Sequence, residues 1–187
     1  GRTLNLSNNP NLFLIAGPCV VESEKISIEI AKRLVDITSR LKMPFIFKAS
    51  YKKANRTSGS SFRSIGVIES LDILGNIRQK LGVPVLTDIH SEVEAEIAAD
   101  FVDILQIPAF LCRQSELLEA AAETGKVVNI KKGQFLAPDD MIYQVNKVRE
   151  AGNHRVMVTE RGSTFGYQNL VVDMRSLEIM RNTGCPV

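Results

Sequence analysis

The stretch Pro44-Phe-Ile-Phe-Lys-Ala-Ser-Tyr-Lys-Lys-Ala-Asn-Arg-Thr-Ser58 decides how the chain is read. It opens on an apolar run entered from a proline, which suits a short buried strand that starts at a loop. The remainder collects Lys48, Lys52, Lys53 and Arg56 with the amide of Asn55 and the hydroxyls of Ser50, Thr57 and Ser58. Gly59-Ser-Ser and a helical pattern over 65–81 follow. Lys48 is therefore expected at the carboxyl end of a strand, with the rest in the loop beyond it, and in α/β proteins that end of the sheet is where ligands bind. Taken alone, the segment fits two readings: a solvated basic loop or an anion site.

The same grammar recurs outward from this stretch. Short runs rich in Val, Ile, Leu and Phe stand at 12–16, 45–47, 85–87, 102–105, 127–130 and 156–159. They lack the polar alternation of a half-exposed strand, so they read as a parallel sheet buried on both faces. Between them run amphipathic stretches at helical spacing: Ile26, Ile30, Leu34, Ile37 and Leu41 form one stripe, and Leu71, Leu74, Ile77 and Leu81 another. Ser91 with Glu94 forms a capping-box pattern, and Gly82, Gly125 and Gly152 stand where helices should stop. This is an α/β chain with six βα units, and a seventh strand is expected to begin at Pro186-Val187. A TIM (β/α)8 barrel takes about 250 residues, so the expectation is a single barrel domain, 1–187, missing its C-terminal units. An open doubly wound sheet is the other candidate, but Gly17-Pro-Cys19 follows the first strand in place of a Gly-x-Gly-x-x-Gly turn.

Composition narrows the function classes. The 187 residues suit one domain, and 44% hydrophobic with 24% charged residues is ordinary for a globular protein. Lys and Arg outnumber Asp and Glu by only 23 to 21, so a nucleic-acid partner is not expected. There is no apolar run of about 18 residues and no signal-peptide core at the start, which makes a cytoplasmic, non-membrane protein the expectation. Cys19, Cys112 and Cys185 are odd in number and scattered, as reduced thiols would be. Cys112 and Cys185 read as packing residues.

The residues just beyond each run form a pattern of their own. The first strand delivers Cys19, the second Lys48, Lys53, Asn55 and Arg56, and the third Asp88 and His90. The fourth brings Gln106, Pro108, Ala109, Phe110 and Arg113, the fifth Lys131, Lys132 and Gln134, and the sixth Glu160 and Arg161. So many cations at strand ends call for an anionic ligand with more than one phosphate or carboxylate. Burial of unpaired Lys and Arg is too costly for these cations to be core residues. His90 can be a base, a ligand or a hydrogen-bonded wall. Cys19 can be a small buried hydrophobe or a thiolate ligand. His154, in the turn before the sixth strand, is assigned no role.

Six segments carry a resemblance along the whole chain: Ala16-Gly-Pro-Cys-Val-Val-Glu-Ser23, Lys48-Ala-Ser-Tyr-Lys-Lys-Ala-Asn-Arg56, Thr87-Asp-Ile-His90, Leu105-Gln-Ile-Pro-Ala-Phe-Leu-Cys-Arg-Gln114, Asn129-Ile-Lys-Lys-Gly-Gln-Phe135 and Thr159-Glu-Arg-Gly162. In order, they resemble the 3-deoxy-D-manno-octulosonate 8-phosphate synthases, of the superfamily that includes the heptulosonate 7-phosphate (DAHP) synthases. Asn55 and Pro108-Ala-Phe favour the octulosonate enzymes. The resemblance implies condensation of phosphoenolpyruvate with D-arabinose 5-phosphate, as in lipopolysaccharide (Kdo) synthesis; the alternatives are erythrose 4-phosphate as the aldehyde, or a non-catalytic fragment. It further implies that Lys53, Arg113, Lys131 and Arg161 hold phosphoenolpyruvate, and that Asn55, Arg56 and Thr57, with Ser58 nearby, hold the pentose phosphate. Lys48, Asp88, Gln106, Gln134 and Phe110 would line the reacting region, with Lys48, Lys53, Asp88, Gln106, Lys131 and Gln134 as the catalytic set and Ala109 and Phe110 among the substrate-binding residues. A homotetramer is implied. So is a divalent metal (Zn, Fe or Mn) on Cys19, with its His, Glu and Asp ligands expected beyond Val187, and no organic cofactor.

Overall fold

The computed structural model of the protein describes residues 12–52 and 64–187. The expected βα succession is there: β1 (Leu14–Ala16), α1 (Glu24–Arg40), β2 (Phe45–Lys48), α2 (Val67–Leu81), β3 (Val85–Asp88), α3 (Glu92–Ala99), β4 (Ile104–Ile107), α4 (Ser115–Glu123), β5 (Val127–Lys131), α5 (Met141–Glu150) and β6 (Val156–Thr159). A two-stranded hairpin, β7 (Ser163–Thr164) and β8 (Leu170–Val171), then precedes α6 (Arg175–Arg181). The sheet order β1-β2-β3-β4-β5-β6 follows the chain, as in a (β/α) barrel and unlike a doubly wound sheet, whose order reverses at a switch point. Six βα units of that fold are present.

The chain divides into two compact units, Gly1–Asp88 with Asp100–Ile104, and Ile89–Ala99 with Leu105–Val187. In the first, β1 pairs in parallel with β2 (Ile15 opposite Ile46) and β2 with β3 (Phe47 opposite Val85). Phe47, Leu71, Leu74, Ile77, Val85 and Leu86 are its core, all essentially without solvent exposure. The α1 helix begins where Ser23 accepts a hydrogen bond from the Ile26 N–H at 3.4 Å. The α2 helix stops at Gly82, whose φ of 63° is the left-handed conformation that glycine adopts without strain.

In the second unit β5 pairs in parallel with β6, Asn129 opposite Met157, and the Val158 N–H donates to the Pro186 carbonyl at 3.0 Å, the start of pairing expected for a seventh strand. Ser91 accepts from the Glu94 N–H at 3.4 Å, but Glu94 returns to the His90 N–H at 2.9 Å, so the box closes one residue earlier than the pattern suggests. Among the described residues no helix is long and apolar enough to cross a membrane.

Two expectations need correction. The apolar run at 102–105 predicts a strand there, yet β4 is Ile104–Ile107. Asp103 is the cause: it accepts the Val85 N–H at 3.0 Å and pairs with Arg78 at 2.8 Å, making a clamp ahead of the strand. The hairpin has no counterpart among the expected elements, because two-residue strands are too short to show a period. Its exposed apolar side chains include Phe165 and Tyr167.

Candidate active site

In the first unit the site is built by strand ends. Lys48 closes β2 and Asp88 closes β3. The Lys48 ammonium lies 3.1 Å from Asp88 Oδ1 and donates to Ser50 Oγ at 2.9 Å, and Ser50 in turn donates to Asp88 Oδ2 at 2.7 Å. Ser50 is fully buried and the Asp88 side chain is 12% exposed, so these charge-assisted bonds operate largely out of water. Ser50 is not among the predicted site residues, although its hydroxyl belongs to the basic stretch and it stands between two lysines there. Its position is fixed from the backbone: its carbonyl accepts the Val21 N–H at 3.0 Å, and a bridge pairs it with Val20. Asp88 and Ser50 engage two of the three N–H donors of Lys48, leaving one donor without an acceptor among the described residues. Cys19 is exposed. The predicted residues Lys53, Asn55, Arg56, Thr57 and Ser58 lie outside the described residues.

In the second unit Gln106 is not beyond a strand but inside β4, 6% exposed. Its Oε1 accepts from Asn129 Nδ2 at 3.0 Å, and Asn129 Oδ1 accepts from Thr159 Oγ1 at 2.9 Å. This buried polar ladder crosses strands that are otherwise apolar. Its sequence signal is Asn129, one amide in the middle of Val127–Lys131, since a polar group is buried there only with partners. Lys131 ends β5 half-buried, Arg161 follows β6 half-buried, and Arg113 is exposed between a short turn at Ala109–Leu111 and α4. Ala109 is buried in that turn and Phe110 is 45% exposed. Gln134 is half-buried, with Oε1 buried and unpartnered among the described residues. His90 Nδ1 lies 3.3 Å from Glu94 Oε2 on α3.

Lys132 overturns an expectation. Its place beyond β5 puts it with the cations available to a ligand, yet it has no solvent exposure and lies 3.6 Å from Glu160 Oε1. Its partner makes the burial tolerable.

Among the described residues no group of three His, Cys, Asp or Glu side chains comes together as a metal site. Among the described residues Cys19 stands as a single thiol, which does not by itself fit the implied divalent metal. The three thiols differ in reach: Cys112 is fully buried and Cys185 8% exposed, and burial pushes the Cys112 thiol above its ordinary range. Iodoacetamide on the native protein is expected to modify Cys19 well before Cys112 and Cys185, which should react only on unfolding. Peptide mass mapping against time checks the order.

The model of the DAHP synthetase I family matches residues 4–187. The chain is 62% identical over 172 residues to the 2-dehydro-3-deoxyphosphooctonate aldolase of Koribacter versatilis (strain Ellin345), covering 92% of this chain and 62% of that protein. It is 58% identical over 176 residues to the protein of the same name from Geobacter sp. (strain M21), and 56% identical over 175 residues to that from Acidithiobacillus ferrooxidans (strain ATCC 53993 / BNL-5-31), covering 94% of this chain in both cases. The chain thus spans 62–64% of the length of these curated relatives. With a match over nearly its whole length, it belongs to the DAHP synthetase I family.

Proposed function

We propose that this chain serves the condensation of phosphoenolpyruvate with D-arabinose 5-phosphate and water, giving 3-deoxy-D-manno-octulosonate 8-phosphate and phosphate. The observation that carries the reading is the 56–62% identity to proteins named 2-dehydro-3-deoxyphosphooctonate aldolase. Lys48, Ser50 and Asp88 support it as a preorganised polar group at strand ends. In this reading C3 of phosphoenolpyruvate bonds to the aldehyde carbon, whose oxygen takes up a proton, while water adds at C2 and phosphate leaves. Charge develops on the aldehyde oxygen, and the remaining Lys48 donor meets it without reorganising; fixed donors of this kind often supply most of the rate enhancement. Asp88 and Ser50 hold the ammonium in place. Arg113, Lys131 and Arg161, with Lys53, take the phosphate and carboxylate of phosphoenolpyruvate; Asn55, Arg56, Thr57 and Ser58 take the pentose phosphate. Gln106 and Gln134 orient the reacting atoms, beside Ala109 and Phe110. Cys19 is kept as one ligand to a divalent metal, and a homotetramer in the cytoplasm belongs to the same proposal.

The test is phosphate release from phosphoenolpyruvate by the purified protein with either sugar phosphate, before and after chelation. Release that requires arabinose 5-phosphate supports the reading. A requirement for erythrose 4-phosphate would replace it with the heptulosonate reaction in the family's description. Loss on chelation, restored by Mn²⁺ or Zn²⁺, would support the metal. No release with either sugar sinks the proposal.

A further inference from the structure

Lys132 and Glu160 are assigned no contact with substrate, yet their side chains are buried and heavily engaged in the second unit. The Lys132 ammonium lies within 3.3 Å of the Gly133 carbonyl, 3.2 Å of the Leu136 carbonyl, 3.3 Å of the Gly162 carbonyl and 3.0 Å of Ser163 Oγ. Two of these belong to the loop after β5 and two to the segment after β6. One buried cation therefore fastens both together. Its backbone N–H continues the ladder, donating to the Thr159 carbonyl at 2.8 Å.

Glu160 completes the fastening from the other side. Its Oε1 accepts the Arg161 N–H at 2.9 Å and the Gly162 N–H at 2.6 Å. Two consecutive N–H groups aimed at one carboxylate oxygen fold the backbone sharply at Arg161, with Gly162 at a φ of 89° that favours glycine. The side chain is 5% exposed and Oε2 has no partner among the described residues, so its charge is balanced by Lys132 and these two dipoles. Thr164, in β7, donates to the Gln134 carbonyl at 2.8 Å, adding a third tie between the same segments.

We infer that Lys132 and Glu160 are positioning residues, which set Arg161 on one loop and Lys131 with Gln134 on the other for the phosphate and carboxylate of phosphoenolpyruvate. This rests on the proposed function. A salt bridge holding only the core together needs neither the four oxygen acceptors on two segments nor the double N–H capture beside Arg161.

The experiment compares Lys132→Met, Glu160→Gln and the double variant in the purified protein, reading thermal midpoint, KM for each substrate and phosphoenolpyruvate binding by calorimetry. Lys132→Met leaves Glu160 without a countercharge and should lower the midpoint. It should also raise KM for phosphoenolpyruvate about 10-fold or more while KM for the pentose phosphate stays within about 2-fold, because misplacing a positioned group affects only what it binds. Glu160→Gln keeps an acceptor for both N–H groups but leaves the buried Lys132 without a countercharge, so its midpoint should fall too, while its KM for phosphoenolpyruvate should rise less than in Lys132→Met. The double variant has no unpaired charge, so its midpoint should recover while its KM for phosphoenolpyruvate stays raised. Recovery of that KM together with the midpoint, or equal rises in both KM values, would overturn the inference. A parent that binds no phosphoenolpyruvate sinks the proposed function and this inference with it; a double variant that binds it as tightly as the parent does sinks the inference alone.

Discussion

Lys48→Met is expected to lower kcat by about 10²–10³-fold, the loss seen when one preorganised donor to a developing charge is removed. The same change unbalances Asp88, which keeps Ser50 as a donor at 2.7 Å but loses the ammonium at 3.1 Å. Asp88 is slightly exposed, so the stability loss should fall at or below the about 3–5 kcal/mol typical of breaking a fully buried pair. The magnitudes decide how the result is read. Domains carry about 5–15 kcal/mol of stability, so a loss of about 2 kcal/mol leaves most molecules folded. It cannot by itself produce a hundredfold drop in turnover. Ser50→Ala should fall between parent and Lys48→Met, since it removes the hydrogen bonds to Lys48 and Asp88 but leaves the ion pair. Steady-state kinetics beside a urea titration separate the two effects. A Lys48→Met protein that keeps more than about a tenth of the parent's kcat would remove Lys48 from the chemistry.

Much of this site is legible because a parallel strand advertises itself twice, as an apolar run and as the polar residue that ends it. Lys48 and Asp88 are found that way, and both close their strands. The same rule misplaces the fourth strand, because Val102-Asp-Ile-Leu looks apolar while Asp103 is engaged in clamping Val85 and Arg78. It also passes over Asn129, which lies inside β5 and not at its end; its partners, Gln106 and Thr159, stand on other strands, and such partners have no local signature. The burial of Lys132 has a signal that the sequence does contain. Neighbouring residues of an extended chain point to opposite faces, so Lys131 and Lys132 are not expected to serve one ligand together. Glu160 is a reasonable partner on charge alone, but only the structure brings it within 3.6 Å.

Gly17→Ala should be the most damaging single methyl in the first unit. Gly17 has no left-handed φ to explain it; what it lacks is space. A Cβ there would land on the carbonyl oxygen of Lys48, and would lie 2.9 Å from that carbonyl carbon and 3.2 Å from the Lys48 nitrogen. All three are backbone atoms, so no side chain can swing aside. Relief requires the end of β1 to part from β2 next to the Ala16–Phe47 pair, against the Val20–Ser50 bridge. The displacement is delivered to Lys48 and Ser50, both of which hold Asp88. Overpacking a well-filled site costs about 1–3 kcal/mol and sometimes more, and a backbone collision belongs at the upper end. Turnover should fall about 10²-fold as well, because a shift of about 1 Å at a positioned group is enough for that. Gly133→Ala is the informative contrast in the second unit. Its Cβ would meet the Phe135 ring at 2.9 Å and Cys112 Sγ at 3.0 Å, and Phe135 is 56% exposed and can turn away. Cys112 is buried and must also give a little, so that variant should lose about 1–2 kcal/mol, still less than Gly17→Ala. Chemical denaturation of both variants, with kcat measured on each, tests the pair. A Gly17→Ala protein with the parent's midpoint and turnover would mean that β1 yields freely at this point, and that the position of Lys48 does not depend on the close approach of the two chain segments.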